Sequence, residues 1–240
     1  MAFYTGMEKI ISIRKISEQG VSRPYLCTDE GNRVRWCKGN HTGLRSIISE
    51  WVCARLARRI GLPIPNFAIM KLDLSLFREW RTYQNVPVPE IVTETNPFVF
   101  ASLNVENCKD VLDPETDLKH IDRTLLAKIY FFDKWIHNTD RTDGNSNLLV
   151  NGNVYIIDHN NAFDPCFSES SFAADHILRD FGNAIPAWEK DTFMRFCTEL
   201  ARGPFLEEIW SELPEEWTDV GNDLLPLPFI RAILLEGGYA

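Results

Sequence analysis

A polar loop at residues 138–147, Asn-Thr-Asp-Arg-Thr-Asp-Gly-Asn-Ser-Asn, carries the densest set of side chains capable of chemistry. In this loop Asp140 lies five residues ahead of Asn145 and seven ahead of Asn147. Two short apolar runs follow, separated by a turn, and the second ends at Asp158. A hairpin formed by these runs would bring Asp140 and Asp158 to the same rim. ATP-dependent phosphoryl transfer uses such a set, because one carboxylate faces the attacking hydroxyl while an amide and a second carboxylate hold Mg²⁺ against the phosphates.

Two charged residues earlier in the chain fit the same chemistry. Lys38 ends an apolar run, and Glu50 lies at the edge of the apolar stripe of a predicted helix. Because burying an unpaired charge is costly, a carboxylate in that place needs a partner, and Lys38 is the natural candidate. A lysine held in this way presents its ammonium group to the phosphates of ATP. The alternative is a solvated lysine and a surface glutamate, which the spacing alone also allows.

In the first half of the chain, the elements expected to position these residues are strands around one helix. Short alternating or apolar runs predict strands at residues 10–13, 24–27, 34–38 and 67–70, with a hairpin turn at 29–32. From Leu44 onward the apolar residues recur with a helical period, so we expect a helix over residues 43–60. This helix is predicted to end at Gly61, which is followed by Pro63 and Pro65.

The second half of the chain is predicted to be mainly helical. An amphipathic helix from about residue 125 to 136 would deliver the polar loop, and further helices are expected near residues 187–201, 204–212 and 228–236. Residues 81–96 contain several prolines and are predicted to be a loop or a connection. We therefore expect an α+β protein with a β-rich part at residues 1–95, which contains one main helix, and a larger, mostly helical part at residues 96–240.

Length, charge and hydropathy exclude several classes of function. A chain of 240 residues with 45% hydrophobic residues can bury a full core, as one large domain or as two lobes. Its 25 basic residues face 34 acidic ones, and no cluster of lysine and arginine suggests a nucleic-acid-binding surface. No stretch approaches the ~20 apolar residues of a membrane span, and the first six residues lack a signal-peptide core. We expect a cytoplasmic protein that binds neither nucleic acid nor a membrane directly.

Motifs of other site classes are missing from the sequence. The six cysteines, at positions 27, 37, 53, 108, 166 and 197, are scattered and have no spacing suited to zinc, so they are predicted to be free thiols. There is no GxxxxGK[ST], GxSxG or HExxH pattern, which disfavours Walker-type ATPases, α/β-hydrolases and zincins.

Taken together, these motifs resemble those of the HipA-like kinases, in particular the compact, single-domain branch. The resemblance spans residues 20–163 and rests on Lys38-Gly39-Asn40, the helix end at residues 58–65, the polar loop and Ile157-Asp158-His159. It implies a two-lobed protein-kinase-like fold that uses ATP and Mg²⁺, often on a serine or threonine of a protein. Some members act as the toxin of a toxin–antitoxin pair, so an antitoxin-like partner is also an expectation.

The resemblance implies a role for each candidate residue. Asp140 is the expected catalytic base and Asp158 the metal-binding aspartate. Lys38 is the expected phosphate lysine, and Glu50 is its partner on the helix. Met70, on the strand that follows the helix, is included among the nucleotide-binding candidates.

The amide ligand of the metal is left open between two asparagines. Asn145 keeps the five-residue spacing from Asp140 that many kinases show, whereas Asn147 immediately precedes the Leu-Leu strand, as the metal asparagine usually does. The spacing slightly favours Asn145. The sequence of this loop is also similar to that of phosphoinositide kinases, so a lipid acceptor is an alternative to a protein.

The chain departs from the general kinase pattern in two places. There is no GxGxxG after the first strand, and the resemblance makes residues 18–24 the phosphate segment, with Ser22, Arg23 and backbone N–H groups as contacts. Asp158 is followed by His159 where many kinases have phenylalanine. The alternative from another functional class is a pseudokinase-like module that binds nucleotide or another protein without transferring phosphate.

Overall fold

Strand and helix positions come from a computed structural model of the chain, which describes residues 8–18, 22–85, 87–109, 112, 117–219 and 225–238. Over these ranges the protein is a mixed α/β fold in which strands dominate the first hundred residues and helices dominate the rest. The first six residues and residues 19–21, on which two expectations from the sequence rest, lie outside the described ranges.

Five strands of the first region close into a barrel with the order β1-β2-β3-β5-β4. The strands are β1 (Lys9–Ile16), β2 (Tyr25–Asp29), β3 (Val34–Lys38), β4 (Phe67–Leu72) and β5 (Phe98–Leu103). Neighbours pair antiparallel, except that β1 and β4 run parallel. Lys38 ends β3 in register with Phe100 of β5, so the sheet fixes the backbone position of this lysine.

Local side-chain and backbone chemistry explains the turn and the helix that flank β3. At the β2–β3 turn, Asp29 Oδ1 accepts the backbone N–H groups of Gly31 and Arg33, each at 2.9 Å, which confirms the predicted hairpin. Helix α1 (Leu44–Arg59) agrees with the predicted range within one residue at each end. It stops because Gly61 takes a left-handed conformation with φ 79°, and the chain then turns away from the helix.

Seven further helices and a second hairpin complete the described part of the chain. The hairpin is formed by β6 (Leu148–Val150) and β7 (Val154–Ile156), and the helices are α2 (Leu74–Thr82), α3 (Arg123–Trp135), α4 (Glu169–Asp175), α5 (Ala187–Arg202), α6 (Phe205–Ser211), α7 (Glu215–Thr218) and α8 (Leu227–Glu236). The predicted helices near the polar loop and in the last third of the chain are confirmed, as is the hairpin with its turn at Gly152, whose φ is 97°.

The sequence pattern does not predict four of the elements, namely α2, β5, α4 and α7. Strand β5 is a continuous run, Phe-Val-Phe-Ala-Ser-Leu, whose first four residues are all buried, so it lacks the alternation that marks a half-exposed strand. Helices α4 and α7 have seven and four residues, which is too short for a helical period to be visible in the sequence.

The chain divides into two compact units that are discontinuous in sequence. The barrel unit comprises Met1–Ile48, Pro65–Asn104 and Leu213–Leu224, and the helical unit comprises Ser49–Ile64, Val105–Glu212 and Leu225–Ala240. The sequence pattern instead predicts a single boundary between the β-rich and helical parts at residue 95. The difference arises because β5 lies beyond that boundary and completes the barrel, and because a late segment returns to the same unit, where Trp217 Nε1 donates to Asn96 Oδ1 at 3.1 Å.

Apolar side chains from all five strands form the core of the barrel unit. Tyr25, Cys37 and Met70 are fully buried in it, and Phe77 of α2 covers one side. Met70, one of the nucleotide-binding candidates, is fully buried among these core residues, and its contact with a nucleotide stays a prediction.

Packing of the helical unit centres on α3, whose Leu126, Ile129 and Phe132 are fully buried. All six cysteines are unpaired, and four of them are buried, as expected for free thiols that act as small apolar residues. None of the helices in the described ranges combines the length and apolar character that crossing a membrane demands.

Candidate active site

The polar loop begins shortly after α3, and the end of this helix fixes the direction of the loop backbone. Asn138 N–H donates to the carbonyl of Asp133 at 2.9 Å, and the residue before it, His137, has a φ of 51°. Positive φ is uncommon for residues other than glycine and marks a backbone held by its surroundings. The helix thus ends sharply, and Asp140, two residues after Asn138, has a half-buried side chain.

Asp133, fully buried on α3, is the centre of a network that holds this loop. Arg141 Nε donates to Asp133 Oδ2 at 2.6 Å, and Arg141 Nη2 donates to Oδ1 at 3.3 Å. Asn138 Nδ2 donates to the same Oδ1 at 2.8 Å. His176 completes the set: because its Nδ1 accepts the Leu178 N–H, its Nε2 carries the proton and donates to Asp133 Oδ2 at 3.0 Å.

This network keeps Asp133 ionised in the protein interior. Burial alone would raise the pKa of Asp133, but the charge of Arg141 and the hydrogen bonds from His176 and Arg141 outweigh it and hold the pKa well below its usual range. Asp133 braces the loop through the side chains of Asn138 and Arg141 and has no solvent-accessible surface for chemistry of its own.

Arg141 connects the loop to the hairpin that follows. Its Nη1 donates to the carbonyls of Ser146 and Asn147, and its Nη2 lies 3.2 Å from Nε2 of His159. An arginine side chain only donates, so Nε2 of His159 is the acceptor and this imidazole is neutral, with its proton on Nδ1. One buried guanidinium therefore fixes the end of the polar loop and the residue after Asp158.

The two candidate metal-binding asparagines lie in different environments. Asn147 is half-buried, has a φ of 46°, and donates from Nδ2 to the carbonyl and to Oδ2 of Asp140 at 3.2 and 3.3 Å. Asn145 is exposed and forms one end of a tight turn with Thr142, to which it is joined by two backbone hydrogen bonds. The structure brings Asn147, and not Asn145, against the carboxylate of Asp140.

Asp158 follows β7 and lies beside Asn147 in the hairpin. Ile157 N–H donates to the carbonyl of Asn147 at 3.1 Å, which extends the β6–β7 pairing by one position. Asp158 itself is half-buried and has a φ of 57°, a conformation that asparagine and aspartate adopt more readily than other residues. Asp140 and Asn147 are thus joined by side-chain hydrogen bonds, and Asp158 lies one residue beyond the backbone bond between Ile157 and Asn147.

Glu50, in the part of α1 that belongs to the helical unit, is 3% exposed. Its Oε2 accepts the backbone N–H of His159 at 3.1 Å and lies 4.0 Å from the Nδ1 of the same residue. The sequence argument that a carboxylate here needs partners is therefore confirmed. Glu50 supports the backbone immediately after Asp158, and its pairing with Lys38 stays a prediction.

Ser22, Arg23 and Lys38, which the resemblance implies contact phosphates, lie in the barrel unit, and with His41, which was not anticipated from the sequence, they are called the phosphate-side residues. Burial lowers the pKa of His41 to about 4, and the positive charges of Lys38 and Arg23 act in the same direction. All three basic side chains are therefore close enough to interact. Arg23 has a φ of 39°, and both Ser22 and Arg23 are half-buried. The run Lys-Gly-Asn-His after β3 is the signal that identifies His41.

Asp143 is a further carboxylate of the loop, and it forms an ion pair with Arg179. Its carboxylate pairs with Nη1 of Arg179 at 3.0 and 3.1 Å on the exposed side of the loop. In the described ranges, no group of three or more histidine, cysteine, aspartate or glutamate side chains is arranged to hold a metal ion. Of the donors that the sequence predicted for Mg²⁺, Asn147 and Asp158 lie on neighbouring positions of the hairpin, and their binding of Mg²⁺ stays a prediction.

Comparison with known proteins agrees with this geometry. A search of curated proteins finds no match to the chain. The sequence profile of the HipA-like kinases matches residues 10–233, which include nearly all of the barrel strands, the polar loop, the hairpin and most of the later helices. On this match over most of its length, the chain belongs to the HipA-like kinase family.

Proposed function

We propose that this protein transfers the γ-phosphate of ATP, with Mg²⁺, to a serine or threonine hydroxyl of a protein. The observation that carries the proposal is the placement of three residues at the base of one hairpin. Asn147 donates to Asp140, and Asp158 follows Ile157, whose N–H donates to the carbonyl of Asn147. The barrel unit would be the nucleotide-binding lobe and the helical unit the catalytic lobe of a kinase-like enzyme.

In this proposal Asp140 orients the acceptor hydroxyl and accepts its proton. The side chain is half-buried and receives a hydrogen bond from Asn147, while the backbone around it is held by the network of Asp133. A positioned carboxylate of this kind contributes typically about 10²–10⁴-fold to the rate. Because the surrounding network is rigid, the position of the carboxylate does not have to be acquired when the acceptor binds.

Asn147 and Asp158 would hold the metal ion. Mg²⁺ prefers oxygen ligands and keeps several waters, so one carboxylate, one amide oxygen and the phosphates are enough and no larger acidic cluster is required. When bound, Mg²⁺ supplies positive charge that neutralises the phosphates. Glu50 and His159 would keep Asp158 in place, since Glu50 accepts the N–H of His159 and Arg141 donates to the ring of the same residue.

Lys38, Arg23 and His41 would face the phosphates from the barrel unit. Burial is the main cause of the lowered pKa of His41, and the charges of Lys38 and Arg23 add to it, which supports a site where a negative phosphate would be favoured. A lysine at the end of a strand and an arginine at the preceding turn are suitable donors for phosphate oxygens. The cytoplasmic location and an antitoxin-like partner stay predictions from the sequence and the family.

The test is the pair Asp140→Asn and Asp158→Asn. Wild-type protein incubated with Mg-ATP and with protein acceptors should gain phosphate, detected by mass spectrometry on itself or on the acceptors. Asp140→Asn should lower transfer by about two orders of magnitude or more while keeping the rise in melting temperature that Mg-ATP produces. Asp158→Asn should lose most of that rise. Wild type that binds Mg-ATP yet transfers nothing would instead be a pseudokinase.

A further inference from the structure

A cavity of about 550 Å³ in the helical unit is not used by the proposed chemistry. It lies between the end of α3, the segment that leads into α4, and the C-terminal helix α8. Its volume falls in the range of cavities that bind small ligands or single side chains. Every residue that lines it belongs to the same unit, so the cavity lies within one compact part of the chain.

The apolar walls of this cavity are aromatic. The rings of His137 and Phe167 stack at 4.2 Å with an angle of 13° between their planes. Phe229 of α8 also lines the cavity, and both phenylalanines are half-buried. Burial lowers the pKa of His137 even though the carboxylates of Glu236 and Asp164 act in the opposite direction, so its ring is neutral at pH 7. Flat, uncharged rings of this kind pack well against another planar group.

The charged groups of the cavity are predominantly negative. Asp164, Glu169 and Glu236 line it together with one cationic side chain, Lys134. Lys134 pairs with Glu169, so the charges of these two side chains cancel and Asp164 and Glu236 leave the cavity lining with a net negative charge. Asp164 accepts hydrogen bonds from Cys166 N–H and from the Thr139 hydroxyl, which are neutral donors. In the part of the chain that the structure describes, neither Asp164 nor Glu236 has a cationic partner.

Close packing fixes the position of Glu236 relative to α3. Trp135 Nε1 donates to the carbonyl of Leu234 at 2.8 Å. At Gly237, a Cβ atom would lie only 2.6 Å from the carbonyl oxygen of Trp135, so the two helix ends touch at a point where only glycine fits. The wall of the cavity that carries Glu236 is therefore built into the fold.

The opposite wall is connected to the catalytic loop. The Thr139 hydroxyl donates to Asp164 Oδ2 at 3.4 Å, and Asp164 N–H donates to the carbonyl of His137. Thr139 directly precedes Asp140. An extended polypeptide advances about 3.3–3.6 Å per residue. A side chain in the cavity would therefore belong to a residue within a few positions of a hydroxyl held at Asp140.

We propose that this cavity binds an arginine side chain of the acceptor polypeptide, close in sequence to the phosphorylated serine or threonine. Arginine matches the walls because its planar guanidinium stacks on aromatic rings and donates to two carboxylates at once. A lysine offers neither the plane nor the fork of donors. The overall excess of acidic residues also favours a basic partner. The acceptor role rests on the proposed kinase function, whereas binding of the side chain does not.

Binding is tested first, without ATP. The full chain is titrated with the acetylated and amidated peptide Gly-Arg-Gly and with its citrulline counterpart, and the ring-proton signals of His137 are followed by NMR. The arginine peptide should bind at least about tenfold more tightly than the neutral citrulline peptide. Glu236→Gln should abolish that difference, and Glu199→Gln, which removes an exposed charge on α5, should preserve it. Equal binding of the two peptides, or equal effects of the two variants, would overturn the proposal.

The acceptor role is tested next with serine-centred peptides that carry arginine at each flanking position in turn. Arginine at one position should raise phosphorylation by wild-type protein about tenfold over alanine, and Glu236→Gln should lose this preference. Arginine that binds the cavity but is preferred at no position overturns the acceptor role. If the wild type phosphorylates no acceptor at all, the proposed kinase function fails with the acceptor role, while the NMR titration still decides what the cavity binds.

Discussion

The catalytic loop of the helical unit and the phosphate-side residues of the barrel unit are held by different forces. The loop rests on buried charges, since Asp133 and Arg141 are both fully buried and share several hydrogen bonds. The phosphate-side residues rest on sheet register and on aromatic packing, as where the ring of His41 meets that of Tyr25 at 5.2 Å. We therefore expect the loop geometry to be more sensitive than the barrel side to the loss of a single residue.

The largest effect is expected from breaking the network at its centre. Asp133→Asn keeps the shape of the side chain but leaves the Arg141 guanidinium buried without its counter-charge, which should cost about 3–5 kcal/mol of unfolding free energy. Urea unfolding monitored by circular dichroism measures this loss. The matched control is Asp143→Asn, which breaks the exposed pair with Arg179 and should cost less than about 1 kcal/mol. Similar losses of unfolding free energy in the two variants would show that the buried ion pair contributes no more to stability than the exposed one.

The next effect concerns the pair of Lys38 and Glu50 that the sequence predicts. Lys38→Met and Glu50→Gln should each reduce turnover, and if the residues interact, the double variant should be little worse than the poorer single one. Steady-state rates with Mg-ATP supply the four values of this cycle. Additive losses would mean that Glu50 acts only through the His159 amide that it holds in the structure, and that Lys38 is positioned by β3 alone.

A smaller effect distinguishes the two asparagines of the loop. Asn147→Ala should weaken the apparent affinity for Mg²⁺ in turnover by about tenfold or more, as is usual when the immediate surroundings of a metal are disturbed. Asn145→Ala should change it less than about twofold, because this side chain is exposed and donates to the backbone carbonyl of Asp140 rather than to its carboxylate. Rates measured over a range of Mg²⁺ concentrations decide between them. A larger loss in the Asn145 variant would mean that the five-residue spacing was the better guide.

The outcome at these asparagines illustrates what the sequence predicts and where it stops. Apolar periods and glycine signals predicted α1, α3 and the β6–β7 hairpin, because these elements bury one face and end at residues with clear backbone preferences. From them the sequence also predicted that Asp140 and Asp158 meet. It favoured Asn145 slightly, since spacing along the chain does not reveal that residues 142–145 close a turn of their own.

Residues that act through long-range contacts were beyond sequence reasoning. His176 lies 43 positions from Asp133 in the chain, and no local pattern relates the two. Met70, a nucleotide-binding candidate, is buried in the core of the barrel, and this burial depends on the closure of the barrel. Closure depends on β5, whose unbroken apolar sequence does not reveal which face is inside.

The smallest effect, and the one specific to the barrel side, is the titration of His41. Its pKa of about 4 in the folded protein lies below the ordinary value of 6.5, so the unfolded chain binds the proton first as the pH falls. The stability that depends on neutral His41 is complete above about pH 6.5 and is lost between pH 6.5 and 4. His41→Gln should flatten this part of the profile of unfolding free energy against pH. Loss of Asp133 ionisation belongs to lower pH, because its pKa is held below the usual range.

Mg-ATP should raise the pKa of His41 by about one unit or more, because phosphate charge opposes that of Lys38 and Arg23. NMR titration of the ring protons measures both values. An unchanged pKa on addition of Mg-ATP would separate His41 from the phosphates and leave Lys38 and Arg23 as the barrel residues proposed to face them.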